Sequence, residues 1–197
     1  MAEGGYKSLI SYKLAQIAFD LGWDFVPKYY RRIEDSRQRD QIKQALRSYK
    51  QNIVEGSSER SLSRKLNLYD VAKSSAMEAL EDFEDILRLE RLPHWNKDDL
   101  KLRKLRQVFE GYPSFSNSSI PSRPSYPSVS AVSEVLDGSG GREGLESSVN
   151  YLIDLLKRGG SLLDRQMNAL EEKHQREGGY HEKLLKKRLA YRKSQSY

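Results

Sequence analysis

The chain of 197 residues has no cysteine, three histidines and only two tryptophans. The missing thiol excludes disulfide staples, thiolate nucleophiles, Cys-ligated zinc and iron–sulfur clusters, and it agrees with a reducing compartment. No apolar run approaches the roughly 18 residues that a membrane span needs, and the opening MAEGGYK lacks the basic then apolar order of a secretion signal. A soluble, cytoplasmic, uncleaved protein is the expectation. Proline is also scarce outside one place, because four of the six lie between residues 111 and 142.

The remaining sequence is dominated by helical periodicity. Residues 41 to 92 read QIKQALRSYKQNIVEGSSERSLSRKLNLYDVAKSSAMEALEDFEDILRLERL. Ile42, Ala45, Leu46, Tyr49 and Ile53 recur at three- and four-residue steps, as do Leu62, Leu66, Tyr69, Ala76, Leu80, Phe83 and Leu87. This pattern predicts an αα-hairpin turning at Glu55-Gly56-Ser57-Ser58, with Gly56 placed for a positive φ and Ser61 as a cap for the second helix. Each helix has one apolar stripe that its partner alone cannot bury, so further helices are required.

Those helices are legible. Ile10, Leu14, Ile17, Ala18, Leu21 and Phe25 predict a first helix that Pro27 ends or kinks. Asp35 or Ser36 is placed to cap the next, and Leu100, Leu102, Leu105 and Val108 mark a short segment around 98 to 110. From about Leu145 a stripe of Val149, Leu152, Ile153, Leu156, Leu163, Met167 and Leu170 predicts the fourth bundle helix, with a kink or close helix contact at Gly159-Gly160. Gly178-Gly179 stops it, and a last short helix follows from about Tyr180 to Arg192.

The expected fold is therefore all-α: an antiparallel up-down four-helix bundle with a disordered linker before the fourth helix and a short basic C-terminal helix. Residues 1 to 110 supply three bundle helices, 111 to 144 the linker, 145 to 177 the fourth helix and 178 to 197 the basic suffix. The linker assignment rests on its prolines, ten serines between 111 and 142, and the GSGG at 138 to 141. Burying a Leu or Phe stabilises by about 1.5–3 kcal/mol, so a dozen such positions offset the ordering entropy of a modest bundle.

Two stretches carry a resemblance. Gln41-Ile42, Ala45, Ser48, Asn52-Ile53, Glu55-Gly56, Ser61, Tyr69, Ala72, Ser75 and Glu78 resemble the signature of the bacterial four helix bundle proteins. That family is named for members encoded in intervening sequences of 23S ribosomal RNA genes and includes the accessory variability determinants of diversity-generating retroelements. LLDRQ at 162 to 166 and REGGYHEKLLKKRLAYRK at 176 to 193 resemble the suffix domain that some members append. The resemblance implies a small bundle, often a homopentamer, with no known catalytic activity, and in the retroelement branch a nucleic-acid and reverse-transcriptase accessory. The long linker and suffix depart from that branch. Gln41, Ser48, Asn52, Glu55, Gly56 and Glu78 are read as structural hairpin positions, with Glu78 as a hydrogen-bonded carboxylate near the Asn52 and Glu55 turn.

The formal charge of +6 has an address. Between residues 173 and 197 eight Lys or Arg stand against two Glu, so the preceding residues sum to zero. Lys183, Lys186, Lys187, Arg188, Arg192 and Lys193 cluster on the last helix, flanked by Tyr180 and Tyr191, a composition suited to phosphates and unpaired bases. The competing expectation is that Leu184, Leu185 and Leu189 dock on a neighbouring subunit while the lysines solvate the outside.

Chemistry at a small-molecule site finds little support. The acidic cluster Glu78, Glu81, Asp82, Glu84 and Asp85 lacks the paired Glu-x-x-His elements of a bundle di-iron site, and the one such element is Glu171 with His174. His94, His174 and His181 lie in a turn, a helix end and the suffix, away from any marked nucleophile. The GSGG lacks the Gly-Lys-Ser/Thr ending of a phosphate loop. No metal, cofactor, small-molecule substrate or membrane partner is expected. A non-enzymatic homo-oligomer that binds RNA or a ribonucleoprotein is, and the rivals are a purely structural interaction module and a reverse-transcriptase accessory.

Overall fold

The computed structural model describes residues 5–110, 127–136, 141–178 and 180–194, and there every regular element is a helix. In chain order these are α1 (Ile10–Tyr29), α2 (Ser36–Ser58), α3 (Leu62–Leu89), α4 (Leu100–Glu110), α5 (Val129–Val135), α6 (Gly141–Glu177) and α7 (Tyr180–Ser194), with 3-10 turns at Tyr6–Ser8 and Ile33–Asp35.

Helices α1, α2, α3 and α6 surround one core. Helix α1 packs on α2 and α6, and α3 packs on the same two. Cross-helix contacts run in opposite chain directions at each of these seams. Ser11 donates to Gln166 at 2.9 Å while Gly22 sits against Leu152. Gln38 meets Asp82, Ser48 meets Ser75 and Gly56 meets Tyr69. Lys73 pairs with Asp164 at 2.6 Å and Glu84 with Lys157 at 2.6 Å. Leu21, Phe25, Ile42, Leu46, Tyr49, Ile53, Phe83, Ile86, Leu152 and Leu156 fill the interior. The predicted stripes point inward, except that Ile10 and Leu100 are exposed at helix starts and Leu62, Leu66, Val108 and Leu170 are only partly covered.

Several expectations are corrected by local geometry. Pro27 does not end α1, which runs two residues further. So near the helix end the ring removes one donor, and the Tyr30 amide still reaches the Val26 carbonyl at 2.9 Å. Gly56 lies inside α2, not at a left-handed turn. Its role is spatial, since a Cβ there would stand 2.7 Å from the Tyr69 ring. Neither Asp35 nor Ser61 caps its helix through its side chain. The Asp35 carboxylate accepts from the Arg32 amide, and the connection before α3 is held by Glu59, which accepts from the Arg60 and Ser61 amides at 2.7 and 2.9 Å. Those two bonds hold the Glu59 carboxyl below its usual range.

The stretch expected to be a structureless linker contains a helix. Ser128 caps α5 by accepting from the Ala131 amide, the Val129 amide donates to Asp24 of α1 at 2.9 Å, and Val132 is fully buried. Helix α6 begins at Gly141, not at 145, because α5 packs on its first turns and Gly144 lies where a Cβ would stand 2.6 Å from the Ser133 hydroxyl. Residues 111 to 126 and 137 to 140 lie outside the described residues.

Helix α3 ends in a Schellman turn. The Leu92 amide donates to the Leu87 carbonyl at 2.8 Å and the Arg91 amide to the Arg88 carbonyl at 3.3 Å, with Arg91 itself at φ 53°. The Arg142 guanidinium donates to the carbonyls of Glu90 and Arg91. Pro93 follows, and the chain turns across α6.

Candidate nucleic-acid interface and its supporting frame

Helix α7 follows Gly178, whose φ of 72° closes α6 as its amide donates to the His174 carbonyl. Lys186, Lys187, Arg188, Arg192 and Lys193 are all exposed. Lys183 lies on the same helix, and its side chain is outside the described residues. At 100° per residue, the positions of Lys183, Lys186, Lys187 and Lys193 share one face, while Arg188 and Arg192 stack one turn apart on the other side. Leu184, Leu185 and Leu189 interrupt the basic residues instead of forming a separate stripe, and each is about half exposed, at 52%, 56% and 49%. The helix therefore presents cations around most of its circumference.

The hairpin residues form a different arrangement. Asn52 donates to the Ser48 carbonyl at 2.9 Å and to the Ser48 hydroxyl at 3.0 Å, and the Ser75 hydroxyl donates to Ser48 at 2.9 Å. Glu55 accepts from Gln51, and Gln41 is exposed. Ser48, Asn52 and Ser75 thus make a polar seam between α2 and α3. Glu78 is not part of it: the carboxylate is exposed, near the level of Ala45 in the helix pair, and borders a shallow surface groove of about 500 Å³ with Asp70, Lys73, Ser74, Met77 and Glu81. Antiparallel register explains the difference, since Ser75 opposite Ser48 places Glu78 about a turn from that seam.

A larger polar assembly, absent from the sequence expectations, joins α4 to α6. Asp154 is 6% exposed and accepts from Arg106 through both Nε, at 3.0 Å, and Nη2, and from Arg158 Nε at 2.9 Å. Arg158 makes a second bidentate pair with Glu110, which also accepts from the Tyr151 hydroxyl at 3.3 Å. Burial and the Glu110 charge push the Tyr151 phenol far above its ordinary range. The hydrogen bond with Asp154 holds the Arg106 guanidinium charged. Upstream, the Trp95 amide donates to Asn150 at 2.8 Å and its indole to Glu146 at 2.7 Å, while Asn150 donates to the Pro93 carbonyl. The signal in the sequence is the pair of i,i+4 couples, Arg106 with Glu110 and Asp154 with Arg158, whose charges are complementary.

Among the described residues no three His, Asp or Glu converge on a common point, and no helix is long and apolar enough to cross a membrane. Glu171 and His174 are exposed near the end of α6.

Comparison with known proteins returns nothing: no family profile, curated protein or solved structure matches the chain.

Proposed function

We propose that the protein is a non-enzymatic accessory that binds RNA, alone or in a ribonucleoprotein, through α7. In this reading α1, α2, α3 and α6 form an antiparallel up-down four-helix bundle of the kind found in the 23S-intervening-sequence family, and the bundle serves as a neutral carrier in a homo-oligomer. The observation that supports it is the combination of exposure and charge at α7: five exposed cations on one helix, in a chain whose first 172 residues carry no net charge. A polyanion is the ligand that such a surface attracts over long range.

Fluorescence anisotropy with a labelled RNA hairpin, repeated at several salt concentrations, tests this. The wild type is expected to lose affinity steeply with salt. The K186A/K187A/R188A variant is expected to bind more weakly, with a salt slope shallower by about 0.7–0.9 for each phosphate it no longer neutralises. Unchanged binding by the triple variant would overturn the assignment to α7.

One feature favours a second reading. Leu184, Leu185 and Leu189 are each about half exposed on one helix, which suits docking against another copy of the chain. L184S/L185S/L189S would then shift the native mass to a smaller particle, and K186A/K187A/R188A would do the same if the lysines serve assembly and not RNA.

A further inference from the structure

The seam between α1 and α2 has a partly exposed outer face. Arg39, Lys43, Arg47 and Lys50 recur at three- and four-residue steps along α2, a row spanning about 16 Å on the side next to α1. Alongside it α1 presents Phe19 and Trp23, whose rings lie 5.2 Å apart at 31°. The Lys43 ammonium sits 4.4 Å from the centre of the Trp23 ring and the Lys50 ammonium 3.6 Å from that of Phe19. Trp23 is 50% exposed, in contrast to Trp95, which is buried and hydrogen-bonded.

The cations of this face differ from those at the α3–α6 and α4–α6 seams. Lys73, Lys157, Arg106 and Arg158 are each paired with a carboxylate. Among the described residues Lys43 and Arg47 have no carboxylate within 4 Å, and Arg39 donates only to the Tyr30 carbonyl, at 3.3 Å. The nearby acid Asp20 accepts from the Gln16 amide through both of its oxygens and attracts Lys50 at longer range. A row of cations that includes Lys43 and Arg47, without a carboxylate within 4 Å among the described residues, beside partly exposed aromatic rings combines the two elements that bind unpaired nucleic acid: charge that follows the phosphates, and π-faces on which bases stack. Lys43 already holds the Trp23 face by cation–π attraction, and moving it to a phosphate would free that face for a base.

We propose that the α1–α2 face is a track for single-stranded RNA, with Arg39, Lys43, Arg47 and Lys50 on the phosphates and Trp23 and Phe19 under the bases. This rests on the reading of the protein as an RNA binder, but it assigns that role to a surface separate from α7. Single strands are favoured over duplex, because the aromatic rings gain nothing from bases that are already stacked.

The test uses the full chain and a fluorescein-labelled oligouridylate of about 20 nucleotides, with a duplex of equal length for comparison. K43E/R47E is expected to weaken oligouridylate binding at least about tenfold, whereas R60E/R64E, an equal reversal of exposed charge at the start of α3, changes it less than about twofold. Oligouridylate is expected to quench tryptophan emission, and W23F to remove most of that quench while retaining the buried Trp95 signal. Equal loss from both charge reversals, or no quench at saturating oligouridylate, would overturn the track. Should K186A/K187A/R188A abolish binding while K43E/R47E binds as wild type, the track falls and the α7 reading stands. The opposite result removes α7 and leaves the track.

Discussion

Between Ser147 and Leu156, α6 is buried on every side, polar residues included; from Glu171 to Glu177 and along α7, every described side chain is exposed. Both stretches are helices with several leucines, so helix propensity does not separate them. What separates them is cover. The inner side of the buried stretch faces α1 and α3, and its outer side is wrapped by α4, α5 and the Trp95 segment. Nothing described lies over α7 in the same way. Burial of a helix is thus set by the elements packed around it, and the polar groups of a helix covered on all faces depend on internal partners: Asn150 and Asp154 have them, while the Ser148 hydroxyl has none among the described residues.

This contrast can be broken most forcefully at Asp154. D154A leaves two partly buried guanidinium groups short of an acceptor and is expected to cost about 3 kcal/mol, read as a fall in the midpoint of chemical unfolding. A loss below about 1 kcal/mol would mean that the α4–α6 assembly is already solvated.

Next comes the boundary between the two environments, Gly159-Gly160. A methyl on Gly159 would overlap the Tyr49 hydroxyl, which is buried and has no hydrogen-bond partner among the described residues. G159A is expected to destabilise by about 2 kcal/mol, and Y49F to recover part of that loss in the double variant, because it removes the atom in the way. Additive effects of the two changes would disprove the contact.

Gly160 has open space where a Cβ would go. G160A is therefore expected to stabilise by about 0.5–1 kcal/mol, the opposite sign from its neighbour, through helix propensity alone. Finally, K186A/K187A/R188A is expected to move the thermal midpoint by no more than about 1 °C, since exposed side chains contribute little to folding. A larger drop would show that α7 is docked in solution.

The sequence reveals some of this contrast and hides the rest. Stripes such as Ile42, Leu46, Tyr49 and Ile53 are legible because one-sided burial imprints the helical period. The gap comes where burial is two-sided. Val149 to Leu156 reads as a stripe with a solvated back, yet Asn150, Tyr151 and Asp154 on that back are buried. Their partners, Trp95, Arg106 and Glu110, lie more than 40 residues away, and periodicity carries no information about such pairings. The nearly unbroken apolar run there is the clue. Helix α5 is hidden for a related reason: it is only seven residues long and sits in a Ser/Pro-rich stretch, so its order depends on Val132 burying and Asp24 accepting the Val129 amide. The basic row on α2 is inconspicuous because its charges are cancelled in the overall sum by acids on other faces.

The arm from Trp95 to Glu110 is tied to α6 at both ends and in the middle, by indole, guanidinium and carboxylate together. Lifting any part of it would strand charge over a dry surface, so it cannot fray in steps like a short terminal helix. Amide hydrogens of α4 should therefore exchange with solvent at the pace of the α6 segment beneath, as one cooperative unit.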